Sequence, residues 1–195
     1  MSVVKYCLLL TSLFLFAGCT VTGATYESQL YNVREIENSL RASLAVGEFT
    51  RSESEKVVDP WSFRGATKVA SPVGDGYHDL IAKGIEDDLM LARRLDSKSN
   101  LVLTGDLTEH LVDASSMSTG EGVVGMTFTL SDSGKVVYLK PVRIVHEWDS
   151  SFLGQTAANN AMRAHVEMIE RLIASLFQDR EFLGAANGNG GSSDE

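Results

Sequence analysis

Cysteine is nearly missing from this chain: its 195 residues include two, Cys7 and Cys19, both close to the amino terminus. Two thiols so near each other cannot staple a fold, and a thiolate metal cluster needs more of them. Proline is almost as scarce, standing only at 60, 72 and 141, and no Pro/Gly linker divides the chain in two. No apolar run reaches the ~20 residues that a spanning helix requires. Positive charge is in deficit, with 17 Lys and Arg against 26 Asp and Glu and a net charge of −9. That balance argues against a nucleic-acid partner and against a body lying flat on anionic lipid headgroups. There is no HExxH, no histidine pair at metal spacing, and no serine in a nucleophile elbow. The expectation is a single domain without metal or cofactor.

What is present begins with Met1 to Lys5, an apolar run from Tyr6 to Phe16, and then Ala17-Gly18-Cys19. A basic start, a short apolar stretch and small residues before a break make up an export signal. The stretch Leu15-Phe16-Ala17-Gly18-Cys19 resembles the lipobox of bacterial lipoproteins, although Phe16 is bulkier than the usual aliphatic residue. The resemblance implies cleavage between Gly18 and Cys19, acylation of Cys19, and a membrane anchor through those acyl chains. Thr20 follows where aspartate would direct inner-membrane retention, which implies the outer membrane with the body facing the periplasm. Loss of residues 1–18 takes Lys5 and Cys7 with it, leaving 16 basic against 26 acidic residues, a net charge of −10. With Cys19 consumed by lipid, no thiol remains for disulfides or catalysis.

Residues 19–38 are mostly polar and read as a lipidated flexible tether. At the other end, 184–195 is rich in Gly, Asn and Ser and reads as a disordered tail. Between them, 39–183 suits one domain. Leu40, Ala42, Leu44 and Val46 alternate as a strand. Tyr77 to Leu95 carries a helical stripe of Tyr77, Leu80, Ile81, Ile85, Leu89 and Ala92, with Asp75 placed to help its start. Alternation returns at Leu101, Leu103, Leu107 and Leu111, then at Val124, Met126, Phe128 and Leu130. A turn signal at Ser131–Gly134 leads to Val136, Tyr138, Val142, Ile144 and Trp148, with Pro141 marking an edge or bulge. The last helix, Thr156 to Phe177, has Ala158, Met162, His165, Ile169, Leu172, Ile173 and Leu176 on one stripe. The fold class is α+β, a two-layer sandwich in the order β-α-β-β-β-α, mostly antiparallel, with both helices on one sheet face.

With its lipobox, this element order resembles the small periplasm-facing lipoproteins of Gram-negative envelopes. Among them are auxiliary lipoproteins of ABC-type transport, the lipopolysaccharide-assembly lipoprotein and the amino-terminal domain of the Tol translocation protein. Ser43–Phe49, Leu101–Leu107 and His146–Phe152 look like uncharacterised lipoproteins of that kind. The resemblance implies a non-enzymatic adaptor or assembly module of an envelope complex. A carrier of an apolar ligand, with a cavity lined by Met126, Phe128, Met162 and Ile169, is the competing reading, and a periplasmic hydrolase the third.

Gly120-Glu-Gly-Val-Val-Gly125 matches GxGxxG, but it runs into a strand rather than opening a helix, so the glycines read as turn residues. His146 and His165 share the parity of apolar neighbours and read as inward, hydrogen-bonded histidines. Alternation places His110, with Asp106 and Thr108, on the wet sheet face, where His110 as base and Asp106 as its carboxylate would be the hydrolase pair. The connection 50–74 far exceeds the usual 2–6 residues. It holds Trp61, Phe63 and Arg64, residue types common in interface hot spots. Either these are partner-binding, or the rings fold back and cap the core.

Overall fold

The computed structural model describes residues 19–65 and 67–188; the expected signal segment 1–18 and residues 189–195 of the expected tail lie outside them. The elements are β1 (Thr20–Thr22), α1 (Leu30–Ser39), β2 (Ala45–Arg51), β3 (Trp61–Phe63), β4 (Thr67–Ala70), α2 (Tyr77–Leu91), β5 (Leu101–Asp113), β6 (Thr119–Asp132), β7 (Lys135–Asp149), α3 (Gly154–Phe177) and α4 (Arg180–Ala186). The fold is α+β. A four-stranded sheet, ordered β2-β5-β6-β7, is antiparallel except for the β2–β5 pair. The expected succession of strand, helix, three strands and helix is β2-α2-β5-β6-β7-α3.

Period two decides which sheet face is dry. On β6, Val124, Met126, Phe128 and Leu130 are all fully buried, and they join the stripes of α2 (Leu80, Ile81, Ile85, Leu89) and α3 (Met168, Ile169, Leu172, Ile173, Leu176) in one core. The opposite face stays wet, with Val137, Leu139 and Val145 of β7 exposed there. Pro141 falls on β7 at the sheet edge, where a missing amide costs least. Gly120 and Gly122 lie on the inner parity of β6 because larger residues would collide. A Cβ at Gly120 would stand 2.3 Å from Trp148 Cε2, and one at Gly122 would stand 2.5 Å from Met168 Cε. The glycine motif is therefore two seats for core side chains.

The first long strand starts at Ala45 rather than Leu40, because Leu40 closes α1, and α2 ends at Leu91, short of the expected Leu95. Three further parts depart from expectation. The segment 19–38, read as a tether, instead carries β1 and α1. β1 pairs parallel with β4, and α1 sinks Ile36 completely into the core. Tyr26 Oη donates to Asp88 Oδ2 at 2.7 Å, and Gln29 Nε2 to Glu170 Oε1 at 2.8 Å, so side-chain bonds hold the segment too. The long connection 50–74 folds into β3 and β4, which with β1 make a small sheet ordered β1-β4-β3. Finally, α4 extends the domain past 183, with Phe182 packed edge-on against Tyr138 and Phe177. Asn187 then accepts from Arg41 N and donates to Ser39 O. Among the described residues no helix is long and apolar enough to cross a membrane.

Candidate functional site

Cys19 is exposed at the head of β1, and its carbonyl accepts from Lys68 N at 2.9 Å. The parallel register sets Thr20 beside Lys68 and Val21 beside Val69, so the first residue after the cysteine already belongs to the folded body. β3 lies across β4, with Phe63 opposite Thr67. Arg64 takes a positive φ of 47° in the turn between them, its guanidinium 5.3 Å above the Phe63 ring. The same guanidinium donates to Ser151 O, joining the small sheet to the loop that precedes α3. A cleft of about 320 Å³ separates these parts, lined among others by Val21, Phe63, Val69, Ala158 and Met162.

Trp61 forms the floor of this cleft rather than an exposed anchor. It is 1% exposed, its Nε1 donates to Tyr77 Oη at 3.1 Å, and it belongs to the main core. The capping alternative is correct for this ring, because β3 presents it inward opposite Val69. Phe63 is half-buried against the same core, and Arg64 is engaged as just described.

Behind Trp61 stands a closed aromatic group. His110 and His165 are fully buried, with their Nε2 atoms 2.8 Å apart. Tyr77 stacks on His110 at 4.7 Å and meets His165 edge-on at 4.5 Å. A carbonyl only accepts, so His110 Nδ1–H donates to Val58 O at 2.7 Å, its Nε2 is the acceptor, and His165 Nε2–H donates to it. The tautomers just given are those of two neutral rings, the forms that burial favours. Burial drives the pKa of His110 down, and that of His165 well down, with the neighbouring ring opposing a second charge.

The wet-face placement of His110 is wrong, and the reason is a bulge. The β5–β6 register shifts between Leu107 and Glu109, so parity inverts there. Leu103 and Leu107 point inward before the bulge, and His110 does after it, while Leu111 turns partly outward. Asp106 stays on the outer face, accepting from Thr50 Oγ1 at 3.0 Å and Ser52 Oγ at 2.6 Å. His110 and Asp106 therefore never meet as base and carboxylate. His146 does face inward, 3.3 Å from Glu167 Oε2. Asp75, His78 and Asp79 cluster at the start of α2, where Asp79 accepts from Asp75 N. Two carboxylates at a helix start are explained by the helix dipole.

Sequence reasoning missed Asp88. It lies fully buried on the inward side of α2, and burial raises its pKa. Its position three residues beyond Ile85 was the available signal. As for a ligand cavity, Met126, Phe128 and Ile169 are fully buried within the packed core. Only Met162 of the four expected lining residues reaches surface clefts.

No family model matches the chain, and no curated protein matches its sequence. Among solved structures it is similar to a Xanthomonas campestris protein of family DUF330, with a TM-score of 0.57 and 11% identity over 87% of this chain and 99% of that one. It is also similar to a minor lipoprotein from Acinetobacter baumannii, at a TM-score of 0.42 and 7% identity, over 77% of this chain and 95% of that one. The first likeness shows a shared fold; the second is too distant to carry an argument.

Proposed function

We propose that this chain is an outer-membrane lipoprotein, held by acyl chains on Cys19 after removal of 1–18 and facing the periplasm. There it acts as a non-enzymatic adaptor or assembly module of an envelope transport or assembly complex. The observation that carries the reading is the lipobox ending on a cysteine that stands exposed at the edge of the folded body. Thr20 in place of aspartate supports the outer membrane. A filled core supports an adaptor over a carrier, since Met126, Phe128 and Ile169, three of the four residues that would line a ligand cavity, are buried in the core. The surface offered to a protein partner is the outer sheet face, with Val137, Leu139 and Val145 exposed on the free edge strand β7.

Cys19→Ser tests the anchor. Labelled fatty acid should no longer enter the protein, and an uncleaved precursor should accumulate. Normal processing and membrane fractionation of that variant would remove the lipoprotein reading. A photo-crosslinking residue at Leu139, used in intact cells, tests the adaptor role. Discrete heteromeric adducts, identified by mass spectrometry and lost when crosslinking is moved to the buried Leu130, are expected. Absence of any adduct along β7 would count against docking through this edge.

A further inference from the structure

The pole of the molecule that carries Cys19 differs in chemistry from the rest. Three segments converge there. β1 is paired to β4, the β3–β4 turn carries Arg64, and Arg64 is bonded to the loop entering α3. The corresponding stretches, 19–26, 60–74 and 150–166, contain no Asp or Glu, although Glu27, Asp59, Asp75 and Asp149 flank them; they hold Arg64 and Lys68, while Arg163 lines a cleft shared with Glu27, Glu167 and Glu170. In a chain with 26 acidic residues and a net charge of −9, this is a cationic patch at one end. Carboxylates resume on α3 only at Glu167, about 20 Å along the helix from Gly154.

The same pole exposes the two most accessible neighbouring apolar residues of its loops. Phe152 is 76% and Leu153 66% exposed, directly after the Ser151 that Arg64 holds. Neither side chain belongs to the core, although the Leu153 carbonyl accepts from Ala157 N at the start of α3. Apolar side chains beside basic ones form the pattern of a surface that enters the headgroup region of a bilayer.

We propose that this pole is a membrane seat: Phe152 and Leu153 dip into an anionic phospholipid surface while Arg64 and Lys68 face its phosphates. The inference rests on the lipoprotein reading for its orientation, because acyl chains on Cys19 would bring this end, and no other, to the bilayer. Lys68 is exposed beside Cys19, so its charge lies next to the attachment point. The molecule therefore sits on the membrane by the end where Arg64 and Lys68 flank the exposed Phe152–Leu153 pair.

The test uses the mature lipidated protein reconstituted in vesicles of phosphatidylethanolamine and phosphatidylglycerol. An acylated Cys19 leaves no thiol, so Phe152→Cys gives a single site for an environment-sensitive fluorophore. Leu139→Cys, on β7, serves as the aqueous control, since Leu139 is 62% exposed and lies away from this pole. The seat requires several-fold weaker quenching by iodide at 152 than at 139, and strong quenching at 152 by nitroxide-bearing lipid. Equal iodide quenching at the two sites overturns it. Shielding from iodide without quenching by the lipid nitroxide overturns it as well, and assigns the pole to contact with a second copy of the chain. Intact mass reads acylation separately. If Cys19 carries no lipid, the lipoprotein reading fails on that measurement. The seat is then judged on Cys19→Ser, Phe152→Cys protein, by a blue shift on adding the same vesicles or its absence.

Discussion

At the scale of single residues, the buried His110–His165 pair makes the sharpest demand. One hydrogen bond links the two Nε2 atoms, so one ring must lack a proton there, and charging either ring would put an ion in an aromatic box. Both folded pKa values lie below the ordinary range, whereas the unfolded chain takes up protons near ~6.5. The unfolded state therefore binds more protons as pH falls through that value. Stability should be complete above ~6.5 and decline below it, by up to roughly 2.7 kcal/mol per pH unit if both rings titrate. Urea midpoints compared at pH 7.5 and 5.5 check this, and His165→Gln, which keeps an N–H donor, should flatten the decline. An unchanged midpoint would mean that the pair is not held neutral. Asp88 works in the opposite sense. Burial raises its folded pKa, against the opposing bonds from Ser28 and Tyr26, so its ionised form is less favourable in the folded chain than in the unfolded one. Asp88→Asn keeps an acceptor for Tyr26 and should raise the melting temperature at pH 7–8; a lower one would assign the ionised carboxylate a stabilising partner.

Secondary-structure elements were legible in proportion to the length of their unbroken period. The stripes of α2 and α3 and the alternation of β6 each span enough residues to fix a face, although α2 ends at Leu91 rather than Leu95 and Ala157 and Ala161 rather than Ala158 and Met162 lead the buried stripe of α3. β5 is equally long, but its bulge after Leu107 resets the count, and no residue type in Leu107-Thr108-Glu109 announces it. That slip hid the histidine pair. β1, β3 and β4, of three or four residues each, are too short for any period. They exist because they pair with one another, a long-range fact. Much the same holds for α1, whose exposed Leu30 and Tyr31 obscure the one position, Ile36, that is wholly buried. The 50–74 insertion is thus a structural part, and Trp61→Ala should cost about 3–5 kcal/mol by leaving a cavity beside Tyr77. Phe152→Ser, removing a larger exposed surface, should leave the melt unmoved. A Trp61→Ala protein as stable as the parent would release that ring from the core.

Taken whole, the molecule is held by one core that runs from α1 through the sheet to α4. Among the described residues Cys19 is unpaired, and the nearest approach to a metal cluster is the helix-start trio around His78. Reductant and chelator should accordingly leave the thermal midpoint where it is, and a fall of many degrees with chelator would reveal a bound ion. The docking of β1 has a consequence for distance. A loose stretch over residues 19–38 would let the body roam roughly 65–70 Å from its anchor. With Thr20 already in the sheet, that leash has no length. Acylated at Cys19, the protein cannot fish across the periplasm; whatever it meets must either share its membrane or be long enough to come to it.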